Sequence, residues 1–324
     1  MGMAVQPKES AELNVPCPAC ASPTSASAPL HRHHAQHNDE TYTLRHCATC
    51  ELMFWSPLKA DPSVYEGEGF EAYEDYHSGA RPFPRWAEPL FQSLPERKGA
   101  ALDIGCGDGA VLSRLAAAGF EPNGIDLDEK SIQVARTKYR LDKVVAATLV
   151  DYSVECDRHG TRFDLITFFE VLEHQDAPRE FLAQVAALGR PGTMVAGSVP
   201  NRDRFLARLD RKMSDGDLPP HHFLWFSERS LTRLLESAGL HDATVKRIGA
   251  LSYGQIIDKL GAVIARKAKA WPRPMQSLRP VLHALSVVAA IVPWLGMRLA
   301  PSHLFFTCRV PSNDESGKNT AAVA

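Results

Sequence analysis

Ala101-Leu102-Asp103-Ile104-Gly105-Cys106-Gly107-Asp108-Gly109 sets three glycines at alternate positions directly after a short apolar run that starts at Ala100. Val111 to Ala116 follows at once, with apolar residues at helical spacing. That order is strand, tight turn, helix. A backbone that turns sharply and lets a ligand lie against it has no room for Cβ atoms. The first turn of the helix then offers unpaired N–H groups to that ligand. Gly105, Gly107 and Ala110 also fit the dinucleotide pattern G-x-G-x-x-G/A. An ordinary glycine-rich turn is the alternative, and a second signal weighs against it. Asn123-Gly124-Ile125-Asp126 reads as a strand ending in an acid about 20 residues on, where a ribose diol would be held.

Outward from this unit the chain alternates strand and helix, the pattern of a doubly wound parallel sheet. Strands are expected at 100–104, 121–126, 144–147, 163–169, 194–199, 243–248 and 304–310. Helices are expected at about 109–118, from Asp128 or Ser131 onward, from Asp176 with Pro178 in the first turn, and over 231–239 behind a Ser227 cap. The loop Glu170-Val171-Leu172-Glu173-His174 lies at the carboxyl edge of the sheet, where open α/β sheets bind ligands. Glu173 and His174 there either orient a substrate and accept a proton, or fix the loop by hydrogen bonds.

Leu102–Gly109, Gly124–Asp126, Phe163–His174 and Val199-Pro200-Asn201 together resemble successive signatures of class I S-adenosylmethionine (SAM)-dependent methyltransferases, in the ubiquinone-type and sugar or natural-product branch. The resemblance runs from Lys98 to Val310. Asp103, two residues before the first glycine, is typical of that family, whereas nicotinamide-binding strands usually carry an apolar residue there. The resemblance implies an α/β, Rossmann-like doubly wound sheet of seven strands, the last antiparallel, with SAM as cofactor. It also implies that Asp103 and Gly105 face the methionine end, with Gly107 and Gly109 in the same loop. Asp126 and Leu127 fall to the ribose, Asp151 to the adenine, and Phe169 and Glu170 to the border of the reacting methyl. An exposed loop carboxylate is the other reading of Asp151. The family has a His-x-x-x-Phe-Ser block before the last helix, matched here by His222 to Ser227. Imidazole titrates near neutrality, so His222 is the expected acceptor of a hydroxyl proton, with His221 and His174 behind it. The rival reading has His221 and His222 holding the polar loop 201–218.

A sulfonium methyl is already electrophilic, so catalysis is chiefly positioning, with a base only where the nucleophile must lose a proton. The expected acceptor is a small molecule or a glycan- or lipid-linked group, methylated on oxygen. Two other classes stay open. An NAD(P)-dependent oxidoreductase fits the glycines but not Asp103 or the 170–174 block. A non-catalytic SAM-fold binding module would use its N-terminal segment as an interaction surface.

That segment, 15–57, carries Cys17-Pro18-Ala19-Cys20 and Cys47-Ala48-Thr49-Cys50. Two C-x-x-C knuckles place four thiolates tetrahedrally around Zn²⁺, so Cys17, Cys20, Cys47 and Cys50 are read as a structural zinc ribbon. Two disulfides or four free thiols are the alternatives. His31, His33, His34 and His37 between the knuckles are expected to be solvated loop residues, because four cysteines already close the site. Residues 58–97 are too aromatic for a bare linker: Tyr65, Phe70, Tyr73, Tyr76, Phe83 and Trp86 either pack the ribbon on the main domain or, with Tyr65, Tyr73 and Tyr76 foremost, cover the cofactor.

Over 324 residues the formal net charge is -2, so no nucleic-acid partner is expected. Residues 1–14 lack an apolar signal core, and seven cysteines then point to a reducing, cytoplasmic compartment. Residues 1–14 and 311–324 are expected to be disordered. The connection 249–303 between the last two strands of the 98–310 domain far exceeds a hairpin loop. Its run Val281–Met297 is apolar over 17 residues, the lower limit for a span, and Pro293 interrupts it. A span would also part the last two strands across a bilayer. So 255–300 either packs on the domain or lies in the interface of the inner membrane face, with Arg266, Lys267, Lys269, Arg273 and Arg279 near headgroups.

Overall fold

Near the N-terminus, β1 (Val15–Pro16) and β2 (Pro23–Thr24) form a short antiparallel pair that frames the first knuckle. Then β3 (His31–Ala35), β4 (Glu40–His46) and β5 (Met53–Ser56) form an antiparallel meander. Here the structure differs from expectation: His31, His33 and His34 stand on a strand, not in a loop. Their register against Leu44, Tyr42 and Thr41 is set by the alternating Tyr42 and Leu44 of β4, which are buried. The structure, a computed structural model, describes residues 15–24, 30–36, 38–60, 76–204, 207, 211, 215–249 and 301–312. Tyr65, Phe70, Tyr73, His37, the expected tail 1–14, residues 313–324 of the expected tail 311–324, and the 255–300 segment lie outside the described residues.

The main sheet is built on β6 (Ala100–Ile104), whose residues after Ala100 are all buried, as a central parallel strand covered on both faces requires. Around it stand β7 (Glu121–Asp126), β8 (Val144–Ala146), β9 (Phe163–Phe169) and β10 (Gly189–Pro200). The sheet is completed by β12 (His241–Ile248) and β13 (His303–Arg309). The order is β12-β13-β10-β9-β6-β7-β8, with β13 antiparallel to both of its neighbours and β6 to β10 mutually parallel. This is the expected seven-stranded sheet. The order reverses between β6 and β9, so a crevice opens above their carboxyl ends.

Among the described residues, five helices cover the sheet: α1 (Ala110–Ala117), α2 (Glu129–Tyr139), α3 (Leu149–His159), α4 (Pro178–Leu188) and α5 (Glu228–Ser237). Asp128 caps α2 by accepting from the Lys130 and Ser131 N–H groups. Ser227 and Ser230 form a reciprocal capping box on α5. Two local expectations are corrected. α4 starts at Pro178 behind Ala177, two residues after the expected Asp176, whose carboxylate accepts from the Ala60 N–H. The stretch around Asp151 is a helix, α3, not a loop. Only Cys156 of α3 is buried, while Val150 and Val154 are exposed, so the segment carries no apolar stripe to announce it.

The last short strand, β11 (Leu224–Trp225), does not join the main sheet but pairs with β5, giving the order β11-β5-β4-β3. One apolar core therefore runs from Tyr42, Phe54 and Trp55 through Phe223 and Phe226 to the helices on that face of the main sheet. The opposite face packs α1, α2 and the 3-10 turn Arg85–Gln92 around Leu90. Among the described residues no helix is long and apolar enough to cross a membrane.

Candidate active site

The glycine turn lies at the carboxyl end of β6. Gly105, Gly107 and Gly109 all take positive φ, at 72°, 52° and 80°. A Cβ on Gly107 would stand 2.6 Å from the Tyr76 ring, and one on Gly109 would stand 3.3 Å from the Ala135 backbone of α2. Gly107 thus lets an aromatic cover approach the turn, while Gly109, grouped with the cofactor contacts by sequence, serves the packing of α2.

Asp126 ends β7 with its carboxylate pinned from both sides, accepting from the Gly107 N–H at 2.8 Å and the Asp128 N–H at 2.9 Å. Asp103 is buried in mid-sheet between Gly124 and Thr167, and the Thr167 hydroxyl donates to it at 2.7 Å. Burial pushes the Asp103 carboxyl up to about 7 against that hydrogen bond, and the charge of Asp126 adds to the rise. Asp108 is buried too. These carboxylates are poor company for the pyrophosphate of a dinucleotide. They suit a ligand that brings positive charge, such as the ammonium and sulfonium of SAM.

Tyr76 covers the turn, and the Arg81 guanidinium lies 3.8 Å over its ring. Burial raises the Tyr76 phenol and Arg81 opposes, while Asp126, Glu170 and Asp108 add to the rise. Of the three tyrosines expected as a cover, Tyr76 alone falls within the described residues. Arg81 was not singled out in the sequence, because one arginine in an aromatic connector carries no signal. Leu127 is 36% exposed beside Asp126, an apolar wall open to a ligand. Phe169 is buried under Trp86, with ring centroids 5.2 Å apart. Asp151 stands in the first turn of α3, exposed, where its carboxylate accepts from the Thr148 hydroxyl at 2.7 Å.

Glu170 follows β9 with φ 56°, a left-handed conformation rarely adopted by a side chain of this kind. The Ser198 hydroxyl donates to its Oε1 at 2.6 Å, and His303 Nε2 lies 3.2 Å from its Oε2. Burial would raise this carboxyl, but His303 and Ser198 outweigh it and hold it below the ordinary range. His303 starts β13 and reaches the site only because β13 returns beside β10.

The next turn brings three sequence-selected residues together. Glu173, His174 and His222 offer ligand atoms that all lie within 4.8 Å of one another. Glu173 is fully buried, and neither carboxylate oxygen has a hydrogen-bond partner among the described residues. Burial, then the charge of Glu170, pushes its carboxyl well above the usual range. His174 bonds through Nδ1 to the His221 carbonyl at 2.6 Å, which makes Nδ1 the protonated nitrogen. Burial and the neighbouring His222 push His174 down to about 3, so it stays neutral. His221 thus contributes its carbonyl to this arrangement.

His222 is held differently. Its Nδ1 lies 3.2 Å from Asp217 Oδ1, and its Nε2 lies 4.0 Å from Glu173 Oε1. Burial would raise Asp217, but the bond to His222 and the charges of Arg204 and Arg211, at 3.0 and 2.6 Å, keep it ionised far below the ordinary range. The Asp217 backbone carbonyl accepts from the Trp225 indole N–H at 2.8 Å. Asp217 was not foreseen: one acid in a polar loop gives no signal until the fold lays it beside the imidazole.

Away from this cleft, the four ribbon cysteines converge. Cys17 and Cys50 sulfurs are 3.5 Å apart, Cys20 and Cys47 are 3.6 Å apart, and all four lie within 4.8 Å. A tetrahedral site with Zn–S near 2.3 Å has sulfur–sulfur edges of about 3.8 Å. These separations fit such a site and are far too long for disulfides. The knuckles repeat one geometry: Ala21 N–H returns to Cys17 O at 2.9 Å and Glu51 N–H to Cys47 O at 2.8 Å, with Ala21 and Glu51 both left-handed. Cys17 and Cys50 share a proton: the hydrogen bond between them holds the Cys50 thiol down and, with burial, the Cys17 thiol up.

Residues 77–245 match a family described as a methyltransferase domain. The ubiquinone biosynthesis O-methyltransferase of Aromatoleum aromaticum is 42% identical over 107 residues, 32% of this chain and 44% of that protein. The protein of the same name from Bordetella avium is 36% identical over 123 residues, 36% of this chain and 48% of that protein. The matched stretch spans less than half the length of either relative. Among solved structures, Haemonchus contortus phosphoethanolamine N-methyltransferase 2 in complex with S-adenosyl-L-methionine aligns with a TM-score of 0.51 and 13% identity, covering 87% of this chain and 71% of that one. That likeness bears on the fold.

Proposed function

The chain belongs to the methyltransferase-domain family of class I SAM-dependent enzymes, and on that premise we propose that it transfers a methyl group from SAM to a hydroxyl of a small-molecule or glycan- or lipid-linked acceptor. The observation that carries the hydroxyl is the Asp217–His222 pair, 3.2 Å apart beside Glu170 and Glu173. An amine acceptor loses its proton without such a base, whereas a hydroxyl gains from one. The relatives named for O-methylation point the same way.

When bound, SAM supplies the electrophilic methyl. Asp126 and Leu127 are proposed to hold the ribose, Asp103 the ammonium end, and Arg81 the methionyl carboxylate. Phe169 and Glu170 border the methyl. Asp217 keeps the proton of the His222 imidazole on Nδ1, so Nε2 carries the lone pair that takes the hydroxyl proton. The resulting imidazolium is stabilised by the Asp217 charge, as in other Asp–His pairs. His174, held neutral, is a poor competitor for that proton, and His221 acts through its carbonyl.

Incubating the protein with methyl-labelled SAM and small-molecule and lipid extracts, then locating the label by NMR, tests this reading. Label in a methoxy group supports it. Label on nitrogen or carbon, or SAM bound with no turnover, refutes it.

A second reading is favoured by one observation, the orphaned and buried Glu173 carboxylate between two imidazoles. Glu173, His174 and His222 would then hold a divalent cation, which satisfies the carboxylate and activates a coordinated hydroxyl. Loss of turnover on chelation, restored by Mg²⁺ or Mn²⁺, would favour it over a free His222.

A further inference from the structure

The ribbon and the proton-accepting segment are one piece of structure. Residues 219–225 are gripped by the ribbon at both ends. At one end His33 Nε2 bonds to the Pro219 carbonyl at 3.0 Å. At the other, β11 pairs with β5 in the register Leu224 to Phe54 and Trp225 to Met53. Between them the Phe223 peptide bridges two parts of the molecule: its carbonyl accepts from the Trp55 N–H at 3.0 Å, and its N–H donates to the Glu173 carbonyl at 2.9 Å.

Side chains repeat the connection. Trp55 is fully buried, with its ring 5.5 Å from that of Trp225 and edge-on, and 6.0 Å from that of His33. Trp225 in turn holds the Asp217 carbonyl, and the Asp217 carboxylate holds His222. Three contacts therefore lead from Trp55 to the imidazole.

We infer that His33 and Trp55 are positioning residues for His222, and that the ribbon sheet is a wall of the acceptor site. The inference rests on the reading of His222 as proton acceptor. A displacement of about 1 Å at such a group costs on the order of a hundredfold in rate, so a grip at both ends of a seven-residue segment matters to the chemistry.

The experiment uses the full chain, ¹⁵N-labelled, with S-adenosylhomocysteine as probe. His33→Ala should speed amide exchange across 218–226 about tenfold and shift the His222 imidazole signals. S-adenosylhomocysteine affinity should stay within twofold, and exchange across 100–109 should not change. His33→Gln, which keeps a donor for the Pro219 carbonyl, should restore the wild-type pattern. Trp55→Leu should shift the same His222 signals more strongly. Unchanged exchange and imidazole signals in both His33→Ala and Trp55→Leu would overturn the inference, as would equal loosening of 100–109. Failure of the proton-acceptor reading shows separately, as methyl transfer that survives His222→Ala.

Discussion

His222 Nδ1 and Asp217 Oδ1 lie 3.2 Å apart, five residues from each other in the chain, with the carboxylate held ionised by two arginines. Such a pair fixes which imidazole nitrogen keeps its proton. His222→Ala should lower turnover by about 10²- to 10⁴-fold, with SAM affinity nearly intact. Asp217→Asn should lose much of the same rate by disturbing the tautomer. Steady-state kinetics beside calorimetry checks both, and an equal loss of SAM binding would make His222 structural. Because Asp217 is depressed, its stabilising contribution is present above its unfolded pKa and is lost only as pH falls through the lower folded value. Any loss of activity between pH 5 and 8 therefore belongs to another group.

With Asp103 at the proposed ammonium end of the cofactor, SAM binding is expected to depend on pH. The Asp103 carboxyl is raised to about 7, so part of the population is protonated at neutrality before SAM binds. A cationic ligand favours the carboxylate and lowers that value on binding. SAM binding should therefore release protons, and affinity should rise with pH up to about 7 and then level off. Calorimetry at pH 6.5 in buffers of different ionisation enthalpy measures the release directly. For folding the sign is opposite to that of Asp217: a raised carboxyl makes the apo fold lose stability as pH climbs from about 4 to 7.

Asp126→Ala should weaken SAM binding by about 1.5–3 kcal/mol, the range for hydrogen bonds to a charged group. It also frees the Gly107 and Asp128 N–H groups that the carboxylate now accepts from. Unchanged affinity in the variant would reject its assignment to the ribose.

The purified chain should carry about one zinc per molecule on Cys17, Cys20, Cys47 and Cys50. Metal analysis of protein prepared without chelators checks this. Cys47→Ser should loosen the ribbon more than the 98–310 domain, and the loosening should reach Leu224 and Trp225 through their pairing with β5.

An acceptor carried on a lipid would require the chain to meet a membrane. Flotation with anionic liposomes is then expected for the intact protein, with salt reducing it and deletion of 255–300 abolishing it. No flotation at low salt would favour a soluble acceptor.

The strands and the glycine turn that frame the proposed cofactor site were open to inspection in the sequence. The bounds of 100–104, 121–126 and 163–169 match β6, β7 and β9 residue for residue. Buried parallel strands are apolar runs closed by glycine or acid, and both marks are local. The four cysteines were legible for the same reason, since each knuckle is a motif of four residues. What the sequence by itself determined is therefore the sheet, the glycine turn with Asp103 and Asp126, and the thiol set.

The surroundings of His222, the proposed acceptor side, were decided by tertiary structure. His33 meets Pro219 from 186 positions away, and Trp55 meets Trp225 across a sheet that two distant parts of the chain build together. Asp217, His303 and Arg81 carry no periodicity and no motif, and α3 hides a helix behind exposed valines. Local patterns report which face of a segment is buried. They do not report which distant segment supplies the covering side chain, because that choice is made by how well the complete chain packs and satisfies its buried polar groups.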